Sequence, residues 1–277
     1  MIILHGKECE HLKPPDGDFR CFLYPQDLTT TAAFSNNGSN HTESETGIMI
    51  KWKEHTFYAA FRAAAPNLKQ KGTYMTRQEA LKHFLEAYVK DKQKEYIEKA
   101  EEEYRSRKDE LTKDFIESFR RICLNIKEMQ SAGQKEKIGY INYSMRRTYL
   151  LERKHEHVVE AFDKDWYFDT YPCRGTYDSG WAFKYLDALE DELEQLGKKY
   201  MGKIVKPDIE RIKLEAAAAF NQWIVVLVKQ AMADAIRLKD FDEIAREPDL
   251  EVRVGEHKGI SEVVYKGDSV QEGSLFL

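Results

Sequence analysis

Large apolar side chains recur at steps of three, four or whole helical turns through Phe84, Tyr88, Tyr96, Ala100, Tyr104, Leu111, Phe115, Ile122, Ile126 and Met129. That period marks one buried helix face. Thr76-Arg77-Gln78-Glu79 reads as a capping box at its start, and Gly133 suits the position just past its end. The pattern predicts one helix over 76–132, far longer than an ordinary globular helix. Glu86/Lys90, Glu95/Lys99, Glu103/Arg107 and Glu117/Arg121 fall at i,i+4 spacing. A helix this long and charged predicts a hairpin or a stalk.

Further along, Ile141, Met145, Thr148, Leu151, His155, Val158 and Phe162 form a stripe that predicts a second helix over 138–162. The stretch 165–181, DWYFDTYPCRGTYDSGW, breaks the pattern with six aromatics, Pro172, Gly175 and Gly180, and reads as a packed loop over the helices. Ala182, Leu186, Leu189, Leu193, Leu196 and Tyr200 then alternate four- and three-residue steps, a coiled-coil seam. A fourth helix starts at Pro207 and carries Ile209, Ile212, Ala216, Phe220, Trp223, Leu227 and Ala231 towards Leu238.

The two ends differ. Short β-prone runs at 2–4, 19–24, 48–52 and 56–61 alternate with polar turns, and 250–254 with 263–266 flank Gly255-Glu256-His257-Lys258-Gly259 as a hairpin. The expected fold is therefore α+β and mainly α: a bundle of about four long helices with a small antiparallel β layer formed by the N- and C-terminal segments. Residues 1–70 are the β-rich segment, 71–240 the bundle and 241–277 the returning hairpin, together one composite domain.

Composition narrows the function only by exclusion. Hydrophobic residues at 42% and charged residues at 33% fit a folded chain with exposed helices. The net charge of −5 disfavours nucleic acid as a partner, although Lys198, Lys199, Lys203, Lys206, Arg211 and Lys213 are locally basic. No apolar run spans a bilayer or forms a leader, so the expected location is the cytoplasm, without membrane attachment. The sequons at Asn37, Asn40 and Asn142 then read as chance matches. Cys9, Cys21, Cys123 and Cys173 are scattered without a CxxC pair, and read as reduced structural thiols. Phosphate-loop, dinucleotide and Gly-x-Ser-x-Gly patterns are missing.

Two groups of residues point towards chemistry. Glu152 and His155, three apart on the predicted second helix, could share a metal, but the bundle sites that use Glu-x-x-His need a second copy, and the other match, Glu8 to His11, lies in the β-rich segment. His155, His157 and Glu160 form a looser set facing different directions. Otherwise no cofactor is expected. The second candidate is a cleft between the second helix and the 165–181 stretch, with Tyr143, Arg146, Arg147, Asp169, Arg174, Tyr177 and Asp178 as ligand-binding residues and the arginines as anion holders. The leading expectation is a binding or adaptor protein that engages a protein partner or a second copy of itself as a homodimer; the alternative is an enzyme or ligand sensor using that cleft.

Overall fold

A computed structural model describes residues 74–267 of the 277-residue chain. They belong to one compact unit, Lys69–Leu277. The strand runs expected before residue 70, and Glu8 and His11, lie outside the described residues.

The first helix forms where its cap predicts. Thr76 accepts from the Glu79 N–H at 3.2 Å while Glu79 accepts from the Thr76 N–H at 2.7 Å. Helix α1 (Arg77–Phe84) continues through a π-helical turn, Leu85–Val89, into α2 (Lys90–Ser106) and, past an irregular Arg107, into α3 (Lys108–Ser131). Gly133 follows with φ +67°, a conformation that glycine adopts without strain. Of the expected ion pairs, Lys99–Glu95 at 2.7 Å and Arg107–Glu103 at 2.5 Å form, and Glu117 pairs with Arg120 instead of Arg121. The run is no free stalk: α2 packs on α5 (Gly180–Gly197) and α6 (Lys206–Ala235), and α3 on α6 and the sheet.

The segment 138–162 is not a helix, and here the expected four-helix bundle fails. It folds as strand β1 (Ile138–Met145), a five-residue helix α4 (Arg147–Leu151) and strand β2 (Glu156–Phe162). The aromatic stretch after it yields a single 3₁₀ turn, Trp166–Phe168, and strand β3 (Cys173–Asp178) before α5 begins. After α6 and the short α7 (Lys239–Asp242) come β4 (Arg246–Glu256) and β5 (Ser261–Lys266). The hairpin β4–β5 is antiparallel as its sequence predicts, yet β4 also pairs in parallel with β1.

The result is a five-stranded mixed sheet in the order β3-β2-β1-β4-β5, with β1 at its centre. Three of its strands come from residues that read as helix and loop, so the sheet is a main layer and not a small terminal one. Ile141, Tyr143 and Met145 of β1, Val159 of β2, Tyr177 of β3 and Val252 and Val254 of β4 are buried on one side; Tyr143 stacks near Phe115 of α3, and the Ile122 methyl lies 3.6 Å from the position a Cβ on Gly175 would take. That side faces the helices. Successive strand residues point to opposite faces, so Tyr140, Asn142 and Ser144, with Glu160 opposite Asn142 and Arg174 opposite Glu160, occupy the other face.

In α5 the seam residues Ala182, Leu186, Leu189 and Leu193 are fully buried. Their partners are α6 and α2 of the same chain, with Ala216 and Ala217 of α6 among the buried positions. Among the described residues no helix is long and apolar enough to cross a membrane.

Candidate functional site on the second face of the sheet

Position 160 points a carboxylate onto the face away from the helices, where it is 3% exposed. Around it the fold brings Arg146, the residue just before α4, Arg174 from β3 and His257 from the β4–β5 turn. Arg146 Nη2 lies 3.8 Å from Glu160 Oε1, Arg174 Nε 3.4 Å from the same oxygen, and His257 Nδ1 3.5 Å from Oε2. None of these is a tight, two-pronged arginine–carboxylate pair. Asn142, next to Glu160 across the β1–β2 ladder, donates from Nδ2 to the Tyr167 hydroxyl at 3.2 Å.

The 163–172 segment lies over this face. Trp166 stacks on Tyr140 with ring centroids 4.6 Å apart, and Tyr167 meets Phe162 and His257 edge to face. Its anchor is a buried ion pair: Lys135 donates to Asp169 and to the Tyr171 carbonyl, and Asp169 accepts from the Asp163 and Tyr171 N–H groups at 3.0 and 2.8 Å. Burial alone would raise the Asp169 carboxyl, but Lys135 and these two N–H groups outweigh it and hold the acid below its usual range. The segment thus roofs the site from a fixed support.

Hydrogen bonding is incomplete here. Seven buried side-chain polar atoms lack a hydrogen-bond partner among the described residues, and five belong to this face and its roof: Asn142 Oδ1, Arg146 Nε, Glu160 Oε2, His257 Nδ1 and Trp166 Nε1. Each such atom in a fold is costly, on the order of 1–3 kcal/mol. Burial, and then Arg146 and Lys258, keep His257 below the ordinary imidazole range despite Glu160, so at neutral pH it is an uncharged donor and acceptor.

The other sequence candidates scatter. Arg147 pairs with Glu256, Asp169 serves the roof anchor, and Asp178 Oδ1 accepts the Gly180 N–H at the start of α5. Tyr143 and Tyr177 lie on the helix-facing side, where burial raises both phenols, Tyr177 receiving a hydrogen bond from Trp181. Glu152 is exposed at the end of α4, while His155 Nε2 lies 2.6 Å from Asp187 Oδ2, so the two do not share a helix face. Among the described residues no group of three or more His, Cys, Asp or Glu is placed to hold a metal ion. Burial pushes the Cys123 and Cys173 thiols up to about 12 and about 11, which leaves both poor nucleophiles.

Of the expected ligand residues, then, the structure brings Arg146 and Arg174 together. The sequence reading missed Glu160, Tyr167 and His257 as members of this site. A strand reading of 156–162 would have exposed the signal, since it sets Glu160 between Val158 and Phe162 on one face. No protein-family model, curated protein or solved structure matches the chain.

Proposed function

We propose that this chain is a ligand-binding protein whose site is the roofed face of the sheet around Glu160. One observation carries the reading: five buried polar atoms without a hydrogen bond lie on one face of the sheet and its roof, where one exposed arginine, Arg174, reaches Glu160. A folded chain satisfies nearly all such groups, and a bound polar molecule would satisfy these. Placing the chain in the cytoplasm fits the buried free thiols of Cys123 and Cys173.

Native mass spectrometry of the purified chain, followed by thermal-shift measurements against carboxylates, phosphates, amines and sugars, tests it. A bound small molecule, or a stabilising compound whose effect is lost in Arg174→Ala and Asn142→Leu, supports the reading. If the wild-type chain carries nothing and no compound class raises its melting temperature, the reading is wrong.

A second reading, docking of a protein partner or a second copy of the chain, rests on Phe168 and Tyr171, which stand 89% and 70% exposed on the roof segment. The seam in α5 does not add to it, since its apolar face packs within the chain. Light scattering of the wild type and of Phe168→Ser with Tyr171→Ser separates the two: a strict monomer in both, capturing no partner, removes the docking reading.

A further inference from the structure

The turn between α5 and α6 carries an exposed apolar tip inside a cluster of bases, a surface that the ligand-binding reading does not use. After a 3₁₀ turn, Lys198–Tyr200, Met201 takes φ +48° and stands 92% exposed. A left-handed turn position suits glycine or asparagine, and here it holds a long thioether in water. Lys203 ties the turn to the start of α1 by donating to the Met75 carbonyl, so the exposed Met75 and Val205 side chains lie in the same region. The charges around them are uneven. Lys198 and Lys199 meet no carboxylate among the described residues: Lys198 donates to the Gln195 amide oxygen, and Lys199 lies over the Tyr88 ring. Arg77 and Arg211 share the buried Asp208, and Lys206 lies 3.7 Å from Glu210. With Lys203 that makes six cations against Asp208, Glu210 and the capping-box Glu79, a positive surplus in a chain whose net charge is −5.

We propose that this end docks on an anionic lipid surface, with Met201 entering the headgroup layer and Lys198, Lys199 and Lys206 resting against the lipid phosphates. Lysines near such a surface are each drawn to it, and an apolar tip among them adds burial that charge alone does not give. Helix α5 ends here, and Lys198 and Lys199 also complement its dipole, but Met201 has no such role. Other partners for the positive charge fit less well. The centres of protein interfaces are depleted in lysine, and a polynucleotide would use the cations while leaving Met201, Met75 and Val205 in water. The contact is peripheral and needs no spanning helix.

Co-sedimentation of the full chain with vesicles of phosphatidylcholine, and of phosphatidylcholine mixed with phosphatidylserine, tests the assignment. The chain should bind the mixed vesicles and not the neutral ones, and binding should weaken as salt is raised. Lys198→Gln with Lys199→Gln should lower the partition coefficient about tenfold and Met201→Ser about threefold, with both variants keeping the wild-type melting temperature. Phe168→Ser, on the roof segment, should bind as the wild type does. Equal binding to the two kinds of vesicle, no binding at low salt, or an unchanged partition in the lysine variant or in Met201→Ser overturns the proposal. A gel shift with RNA or DNA in the absence of vesicle binding overturns it too, and makes the basic end a polynucleotide surface. None of these outcomes touches the site around Glu160, which the small-molecule measurements test separately.

Discussion

At the scale of single residues the fold keeps several ionisable groups dry, and their partners set its response to pH and mutation. His157 of β2 is fully buried, with Nε2 donating to the Asn221 amide oxygen at 2.8 Å and Nδ1 3.0 Å from the Ser179 hydroxyl. Burial lowers it from 6.5 to about 4, against the smaller opposing effect of Asn221. The unfolded chain therefore takes up this proton at higher pH than the folded one. The contribution to stability is full above pH 6.5 and falls as pH drops towards 4, by roughly 3 kcal/mol in all. In urea melts from pH 7 to pH 4, His157→Gln should show a shallower acid decline than the wild type; parallel curves would refute this. A second buried group, Lys213, is 1% exposed and donates to Asp187 at 2.6 Å and Glu190 at 2.8 Å, while Arg153 reaches Glu190 at 3.0 Å. Removing the cation leaves Glu190 to Arg153 and Asp187 to His155, and Lys213→Met should cost about 3–5 kcal/mol by chemical denaturation. An unchanged midpoint would show that Arg153 and His155 suffice to support them.

At the scale of elements, the helices were legible and the central strands were not. The Thr76 cap, the Gly133 stop and the α5 seam act through neighbours three or four residues away, so their signals survive in the bare sequence. The strand β1, IGYINYSM, is buried on both faces, because the helices cover Ile141 and Tyr143 while the roof segment covers Tyr140 and lies against Asn142. A strand buried twice loses the clean alternation of apolar and polar positions. The apolar residues of β1, α4 and β2 then fall by coincidence at helical spacing. The same misreading hid the site, since Glu160 and His257 are 97 positions apart and meet only through the ladder β2-β1-β4. Two element-level consequences follow. Lys135→Met should free the roof segment, and limited proteolysis should then cut within 163–172 well before it cuts the wild type; equal cutting rates would show that the aromatic stacking alone holds the roof. In the β4–β5 hairpin, a Cβ on Gly255 would clash with the Ile260 carbonyl oxygen, so Gly255→Ala should lower stability by at least about 2 kcal/mol in a thermal melt.

The whole molecule depends on one pairing that no local pattern announces. Strands β1 and β4 lie side by side and parallel, although α4, β2, β3 and the two long helices α5 and α6 separate them in the chain. Parallel neighbours need such a crossover, and here it carries most of the hydrophobic core. The C-terminal hairpin is legible as a hairpin, but its choice of β1 as partner follows from how α5 and α6 return the chain across the sheet. Without it, β1 would become an edge strand with one apolar face and its outer backbone groups unpaired, the arrangement that natural sheets avoid. Its loss would also remove His257 from the site and Glu251 and Val252 from the register with Tyr140 and Ile141. A chain ending at residue 245 should therefore fail to fold cooperatively and should aggregate, even though every long helix is retained. Circular dichroism melting with sedimentation measures this directly. A monomeric truncated chain that melts as sharply as the full one would mean that the helices and the β3-β2-β1 meander form a domain alone, with the hairpin an accessory that completes the sheet.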